Sequence, residues 1–166
     1  MSDERSAMSD AGSVEREASS VEPGTRIAHR SSPIAPTPIR PDGWPRPAGY
    51  ADGMVAEGRL LAISGQIGWD PVTGRFASDD FAEQTAQALR NVVAVLRAGG
   101  AEPRHLVRLT WFVIDRAAYV GARRAIGTAY REILGPHYPA MSVVVVAGLL
   151  EERALVEIEA TAVIPS

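Results

Sequence analysis

Two glutamates near the C-terminus stand where a carboxylate could do chemistry. Apolar and polar residues alternate in Val156–Ala160, which places Glu157 and Glu159 on one face of a predicted strand. If that face packs against a neighbouring subunit, at least one carboxylate lies near an interface, where it could orient or activate water. The pattern fits equally well an exposed strand face or a structural ion pair with Arg108.

Few other side chains suggest catalysis. His29, His105 and His137 have no partners at metal-ligand spacing, so we predict no metal site. The chain has no cysteine and all 17 of its basic residues are arginine, which excludes thiolate and lysine Schiff-base chemistry. Phosphate-binding glycine motifs and a GxSxG nucleophile elbow are missing. We interpret Arg123–Arg124 and Glu151–Glu152 as solvated surface.

Length and charge restrict the class of protein. A chain of 166 residues suits one domain with a real core. A net charge of −3 without a basic run argues against a nucleic-acid partner. No apolar stretch approaches the roughly 20 residues of a membrane helix, so no membrane partner is predicted. The N-terminus is polar and acidic, unlike a secretory signal, and the lack of cysteine fits a cytoplasmic location.

The chain divides into a tail and one domain. Residues 1–38 are rich in Ser, Ala, Glu and Pro, which predicts a disordered or flexible N-terminal tail. Within it, Pro33–Pro38 resembles a stiff linker, and a short amphipathic docking segment is the alternative. The domain is predicted to cover residues 39–166.

Periodicity within this domain predicts the order β-β-α-β-α-β-β. Glu57-Gly58 is predicted to turn the first two strands into a hairpin. Asp79–Asp80 is interpreted as helix capping, with Glu83 completing a capping box. The predicted strands are Met54–Glu57, Arg59–Gln66, Leu106–Ile114, Met141–Ala147 and Leu155–Ile164, and the predicted helices are Asp79–Ala98 and Ala117–Leu134.

This order predicts an α+β fold, with a mixed sheet and two helices on one face. The other face also carries apolar groups, since Phe112 and Ile114 alternate away from Leu109 and Trp111. The four valines of residues 143–146 are apolar on both sides of their strand. No further helix exists to cover that face, so we expect self-association.

The order and spacing of several runs resemble the RidA/YjgF family over about residues 46–164. Asp79–Gly100 and Thr110–Asp115 also fit the family's helix and middle strand. The runs that carry the resemblance are Gly49-Tyr50-Ala51-Asp52-Gly53, Ile63-Ser64-Gly65-Gln66-Ile67, Asp70-Pro71-Val72-Thr73-Gly74, Tyr138-Pro139-Ala140-Met141-Ser142 and Val156-Glu157-Ile158-Glu159-Ala160-Thr161-Ala162. The resemblance implies a chorismate-mutase-like fold and a homotrimer with a barrel-like core and three clefts between subunits. It also implies hydrolysis of reactive imines or enamines to ketones and ammonia, without a cofactor.

The resemblance also implies site residues. In the family a tyrosine and the glycine of Ser-Gly-Gln line the pocket, and a glutamate on the last strand positions water. Tyr50, Gly65 and Glu157 occupy these positions here. The family's substrate-gripping arginine is replaced by Met141, and Val143 stands where a cysteine is common. Methionine cannot make the bidentate grip on a carboxylate that arginine offers, so this chain resembles a divergent member.

Further residues complete the predicted site. Phe112 and Trp69 are added as substrate-binding residues, and Trp69 would make the cleft more apolar. Arg46 or Arg153 could replace the lost arginine from another direction.

Two functions from different classes follow. The first is a cofactor-free deaminase, a hydrolase acting on a small imine, enamine or related carbonyl compound that lacks the usual carboxylate, with Glu157 as the catalytic residue. It is not expected to act on 2-aminoacrylate. The second is a trimer that binds a small metabolite without chemistry. Tyr50 and Glu157 favour the enzyme, and Met141 favours the binding protein. Ribonuclease activity, claimed for some relatives, is disfavoured by the acidic charge balance.

Overall fold

The structure is a computed structural model that describes residues 34–166. A short 3₁₀ turn at Pro103–His105 precedes the sixth strand. In chain order the elements are β1 (Thr37–Ile39), β2 (Gly53–Val55), β3 (Arg59–Ile67), β4 (Trp69–Asp70), β5 (Arg75–Phe76), α1 (Phe81–Ala98), β6 (Leu106–Val113), α2 (Arg116–Leu134), β7 (Ala140–Val145) and β8 (Val156–Ile164).

The main sheet has four strands in the order β3-β8-β6-β7. The C-terminal strand β8 lies in the middle and runs antiparallel to both of its neighbours. The β6–β7 pair is parallel, because α2 carries the chain back between them. The α+β class and the mixed sheet are therefore as predicted.

The first helix begins and ends at the residues that its sequence indicates. The Asp80 side chain accepts a hydrogen bond from the Glu83 backbone N–H at 2.9 Å, which is half of the predicted capping box. Gly99 follows the last turn. The inward face of α1 includes Leu89, Val92 and Leu96, and it packs on β3 and β8.

The second helix covers the same face of the sheet. Asp115 caps its start by accepting from the backbone N–H groups of Ala117 and Ala118, and Gly135 ends it at a φ of 75°. Its Ile126 and Tyr130 belong to the same core as Trp111 of β6. Both helices thus lie on one face, as expected.

The predicted hairpin between the first two strands is wrong. β2 pairs with β1, where Thr37 lies opposite Val55, and β3 pairs with β8. Gly58, at a φ of 150°, lies between β2 and β3, and a Cβ there would overlap the Ile164 carbonyl. The alternation that suggested a hairpin belongs to two strands with different partners, and the partner of β2 lay in the predicted tail.

The predicted boundary between tail and domain at residues 38 and 39 crosses an observed strand. Thr37 and Pro38 belong to β1, and the Glu57 N–H donates to the Ile34 carbonyl at 2.9 Å. Residues 34–38 therefore lie along β2 instead of forming a separate linker. The rest of the predicted tail, residues 1–33, lies outside the described residues, and its predicted flexibility stays a prediction.

The face without helices is more polar than the sequence suggested. Phe112 and Val144 lie on this face near Glu157, and Leu60 lies on it toward the other end of β8. The same surface also carries Glu159 and residues with charged or hydroxyl side chains. Arg108, Thr110, Glu159 and Thr161 border a depression of about 260 Å³. Within residues 34–166 no element covers this face.

Candidate functional site

Glu157 lies on the uncovered face of the sheet, in the middle strand. Its Cα partners are Ile67 on β3 and Phe112 on β6, while the next residue, Ile158, is fully buried in the core. The alternation predicted for β8 is therefore present. Within the described part of the chain Glu157 forms no ion pair, so the alternative of a salt bridge with Arg108 is not realised there.

Gly65 lies against the Glu157 side chain. Between the pairs Ile63–Ala160 and Gln66–Ile158, β3 has two residues where β8 has one, which is a β-bulge. A Cβ built on Gly65 would overlap the Oε1 atom of Glu157. Space, not backbone conformation, favours glycine here, and the carboxylate lies against the strand backbone.

Met141 lies on the opposite face of the sheet. It is the Cα partner of Leu109, and paired residues of parallel strands point to the same side, so Met141 faces the helices. Val143, two residues on, shares that side and is 38% exposed on the edge strand. Within one subunit the structure therefore does not bring Met141 and Val143 together with Glu157. A cleft that joins them needs a second subunit and stays a prediction.

Tyr50 lies in a cavity of about 460 Å³ next to β1. The cavity is bordered by Arg40 and Arg46, and Arg40 Nε lies 3.4 Å from a carboxylate oxygen of Asp52. The next residue, Ala51, fixes the segment, since its N–H donates to the Pro139 carbonyl at 3.0 Å. Arg46 is therefore near Tyr50, as one predicted replacement for the lost arginine would require.

The other predicted replacement, Arg153, lies elsewhere. Its guanidinium pairs with Asp79 at 2.6 Å and lies 5.4 Å from the centre of the Phe76 ring. Trp69 is also near this ring, with centroids 6.5 Å apart, and its carbonyl accepts from Asn91 at 2.9 Å. Trp69 borders neither the Tyr50 cavity nor a second, smaller cavity that Met141 borders and that is described below.

Two stacked tyrosine rings connect the border of the Tyr50 cavity with the helix core. The rings of Tyr130 and Tyr138 are parallel, with centroids 5.2 Å apart. The Tyr130 hydroxyl donates to the His137 carbonyl at 2.9 Å, and His137 Nε2 donates to the Leu106 carbonyl at 2.7 Å. Burial, and then the neighbouring Tyr138, raises the pKa of Tyr130 well above its usual value. This rigid segment leads directly into β7.

Met141 borders a second, smaller cavity of about 170 Å³, which we call the α2 cavity. Its walls include Trp111 of β6 and the arginines Arg123 and Arg131 of α2. It adjoins the Tyr50 cavity, because Gly49 and Tyr138 border both. The sequence interpretation missed these residues, since it assigned Arg123 to solvated surface and gave Trp111 and Arg131 no role.

Sequence interpretation also missed a buried polar link between helix and sheet. The Gln84 side chain donates to the carbonyls of Ser78 and Arg153, each at 3.0 Å, and accepts from the Leu155 N–H at 2.9 Å. Gly68 packs so closely on Gln84 that a Cβ would overlap it. These contacts fix the start of β8, and therefore the position of Glu157.

Residues 34–166 offer neither a metal-binding cluster nor a membrane-spanning helix. There is no cluster of three or more His, Cys, Asp or Glu side chains that could hold a metal ion. None of the helices in this part of the chain is both long and apolar enough to cross a membrane.

The sequence matches a family described as Endoribonuclease L-PSP over residues 45–164. A RutC family protein of Pyrococcus horikoshii is 33% identical over 118 residues, which are 71% of this chain and 90% of the relative. The human 2-iminobutanoate/2-iminopropanoate deaminase is 31% identical over 114 residues, which are 69% of this chain and 79% of that enzyme.

Solved structures agree with the sequence relatives. A Rid family protein of unknown function from Yersinia pestis superposes with a TM-score of 0.70 at 31% identity, covering 79% of this chain and all of its own. E. coli TdcF with bound serine gives a TM-score of 0.58 at 31% identity, covering 78% of this chain and 93% of its own.

Proposed function

Because the chain belongs to the RidA/YjgF family, we propose that it is a cofactor-free hydrolase that deaminates a small imine or enamine. Family relatives that are named 2-iminobutanoate/2-iminopropanoate deaminase support imine deamination at the level of the family. The observation that carries the proposal for this chain is the Glu157 carboxylate held against Gly65. A carboxylate without an ion-pair partner in the described region is available to a water molecule.

The proposed reaction adds water to a carbon–nitrogen double bond. Glu157 accepts a proton from a water molecule while the oxygen of that water attacks the imine carbon. The proton is then passed to the former imine nitrogen. Collapse of the resulting carbinolamine releases ammonia and leaves a carbonyl compound. Backbone N–H groups near Gly65 and Val143 would polarise the substrate, as donors aimed at developing charge do in other enzymes.

We propose that the active form is a homotrimer whose clefts lie between subunits. β7 is an edge strand, and Val143, Val144 and Val145 on it are all more than a third exposed. An open edge with apolar side chains is a surface that proteins normally cover. In such a trimer the Met141 side of one subunit would meet the Glu157 face of another, with Tyr50 beside them.

Met141 argues for a substrate without the usual carboxylate grip. Methionine offers an apolar, polarizable surface and no hydrogen-bond donor. The substrates in the human relative's name, 2-iminobutanoate and 2-iminopropanoate, are carboxylates. We therefore propose that this chain handles other small imines better than 2-iminopropanoate or 2-aminoacrylate, and that it does so in the cytoplasm.

The test compares two neighbouring glutamates. Ammonia release is measured on a panel of imines formed in situ by amine and amino-acid oxidases, with wild type, Glu157→Gln and Glu159→Gln. Glu159 shares the face and the strand but is more exposed than Glu157, and is the matched control. Glu157→Gln should lower kcat by about 100-fold or more, while Glu159→Gln should stay within about threefold of wild type. Equal effects of the two substitutions would contradict the proposal.

The second candidate is a trimer that binds a small metabolite without chemistry. Met141 at the anchoring position is the observation that favours it. No turnover on any imine, together with ligand binding that Glu157→Gln leaves unchanged, would support this alternative. Ribonuclease activity, which the family's description names, stays disfavoured by the net charge of −3.

A further inference from the structure

Two buried side-chain amides on α1 lie seven residues apart and reach two different strands. Gln84 is 1% exposed and Asn91 is 4% exposed, on the face of the helix that packs against the sheet. Seven residues make about two turns, so both side chains lie on one side of α1, about 10 Å apart along its axis. Burying an amide costs free energy unless hydrogen bonds replace its contacts with water. The partners of both amides are therefore informative.

Asn91 binds the end of β3. Its Nδ2 donates to the Ile67 carbonyl at 3.0 Å and to the Trp69 carbonyl at 2.9 Å, so one amide joins the carbonyls on both sides of Gly68. Gly68 itself lies so close to α1 that a Cβ built on it would lie 2.6 Å from the Cα of Gln84. The helix thus contacts this end of the strand through a side chain and through its backbone.

The orientation of the Asn91 amide is fixed from its other side. Gln87, one turn earlier on α1, donates from Nε2 to Asn91 Oδ1 at 2.9 Å, and Arg90 Nε donates to Gln87 Oε1 at 3.0 Å. Because Oδ1 accepts from Gln87, the two N–H groups of the Asn91 amide are directed to β3. A buried network in which each member has its partners is rigid.

Gln84 binds the start of β8, and both amides therefore act next to Glu157. The Gln84 amide donates to the Arg153 carbonyl and accepts from the Leu155 N–H, two residues before Glu157. On the neighbouring strand, Ile67 is the Cα partner of Glu157. One amide thus binds β8 just before the carboxylate, and the other binds β3 directly across from it.

Other buried residues of α1 make no such contacts. Thr85 is fully buried, but its hydroxyl donates to the Phe81 carbonyl one turn earlier on the same helix, at 2.8 Å. Val92 is also fully buried and is part of the apolar core. The polar contacts of Gln84 and Asn91 with the strands are therefore not a general property of this helix face.

We propose that Asn91 and Gln84 are positioning residues for the Glu157 carboxylate. The two amides hold the end of β3 and the start of β8 in fixed register, which keeps the carboxylate against Gly65 and directed to the attacking water. This inference rests on the proposed hydrolase, and it gives α1 a role in a reaction on the opposite face of the sheet. Misplacement of a reacting group by about 1 Å can cost about 100-fold in rate.

The experiment replaces each amide by an apolar side chain of similar size. Asn91→Leu and Gln84→Met should each lower kcat for imine hydrolysis by about tenfold or more, with KM within about threefold of wild type. Thr85→Val and Val92→Ala are the controls, since they remove a buried hydroxyl and buried methyl groups from the same helix. Both should keep kcat within about twofold of wild type, although Val92→Ala should lower the melting temperature. If one amide variant fails to fold, the other still tests the proposal.

Two further measurements separate position from stability. In the Glu157→Gln background, Asn91→Leu should change the residual turnover by less than about twofold, because the group that it positions is already lost. In ¹H–¹⁵N NMR spectra, the amide resonances of Gly65 and Glu157 should shift in Asn91→Leu and in Gln84→Met. The same two resonances should stay in place in Thr85→Val.

Three results would overturn the positioning role. A loss of kcat in Val92→Ala as large as in Asn91→Leu would show that stability alone explains the effect. A loss that persists in full in the Glu157→Gln background would show that the amides act on another group. Unmoved resonances of Gly65 and Glu157 in both amide variants would show that the carboxylate stays in place.

Failure of the proposed hydrolase gives a different result. Wild type would then release no ammonia from any imine, while the resonances of Gly65 and Glu157 could still be followed in every variant. Their shifts in Asn91→Leu and Gln84→Met, or the lack of such shifts, would then alone support or overturn the positioning of the carboxylate.

Discussion

The two faces of the main sheet hold their polar groups in different ways. On the uncovered face, Glu157 is set by strand alternation and by the space that Gly65 leaves for it. On the helix face, the charges beside Met141 come from Arg123 and Arg131, which reach the cavity from α2. The first arrangement is local to two paired strands, and the second exists only once helix and sheet have packed.

Gly65→Ala should have the largest effect on the uncovered face. Its Cβ would push the Glu157 carboxylate out of place, so turnover should fall by about 100-fold, while the free energy of unfolding should fall by less than about 1 kcal/mol because the end of a flexible side chain can move aside. Adding Glu157→Ala should restore stability but not turnover, and thermal unfolding with ammonia release measures both. Gly121→Ala, with open space around it, is the control and should not destabilise. Unchanged turnover in Gly65→Ala would contradict the proposed contact between Gly65 and Glu157.

Val144→Glu tests whether the uncovered face and its edge strand meet another subunit. Light scattering coupled to size exclusion should give wild type three times the chain mass of 17.7 kDa and the variant a much smaller species. A charge buried at an interface without a partner is strongly unfavourable. Val120→Glu, at a similarly exposed position on α2, should leave the mass unchanged. A wild-type monomer at micromolar concentration would refute the trimer.

Met141→Arg sharpens the contrast between the two faces. Wild type should hydrolyse 2-iminopropanoate poorly. Met141→Arg should raise kcat/KM for this substrate by roughly tenfold if the new guanidinium binds the substrate carboxylate. Arg123 and Arg131 border the same cavity, so a third cation should also lower the melting temperature by a few degrees. Met141→Gln, which is polar but uncharged, should do neither. Robust wild-type turnover of 2-iminopropanoate would show that Met141 does not set the substrate class.

Tyr130→Phe should give the smallest change, confined to the helix face. Loss of the hydrogen bond to His137 should cost about 1 kcal/mol near pH 8. Because burial raises the pKa of Tyr130 in the folded state, its hydroxyl stabilises fully below the ordinary value of 10.0, and that contribution is lost as pH rises further. The difference between wild type and Tyr130→Phe in the free energy of unfolding, measured with urea, should therefore narrow above pH 10. A gap that widens there would contradict the assignment.

The sequence predicted those parts of the fold that depend on local pattern. The caps at Asp80 and Gly99, the alternation of β8 and the placement of both helices on one face are all confirmed. Family runs also pointed to Gly65 and Glu157, and the space taken by the Glu157 side chain explains physically why a glycine stands there.

The features that depend on contacts between residues far apart in the sequence could not be predicted. β2 resembled half of a hairpin because its alternation is real, but nothing local showed that β1 competes for it. Gln84 resembled a surface helix residue, although its amide holds three backbone groups of two loops. Arg123 has the same sequence signature whether it faces water or a cavity, so only packing distinguishes these cases.

The central position of β8 has a consequence for biosynthesis. The last strand of the domain completes the middle of the sheet, and Arg59 pairs with Ile164 across almost the whole length of the domain. Until β8 has left the ribosome, neither β3 nor β6 has its antiparallel partner. The apolar side chains of β7 then lie on an incomplete sheet. Folding of this domain therefore cannot be completed before β8 has left the ribosome, and a nascent chain stalled before Val156 would present exposed strands to chaperones or to aggregation.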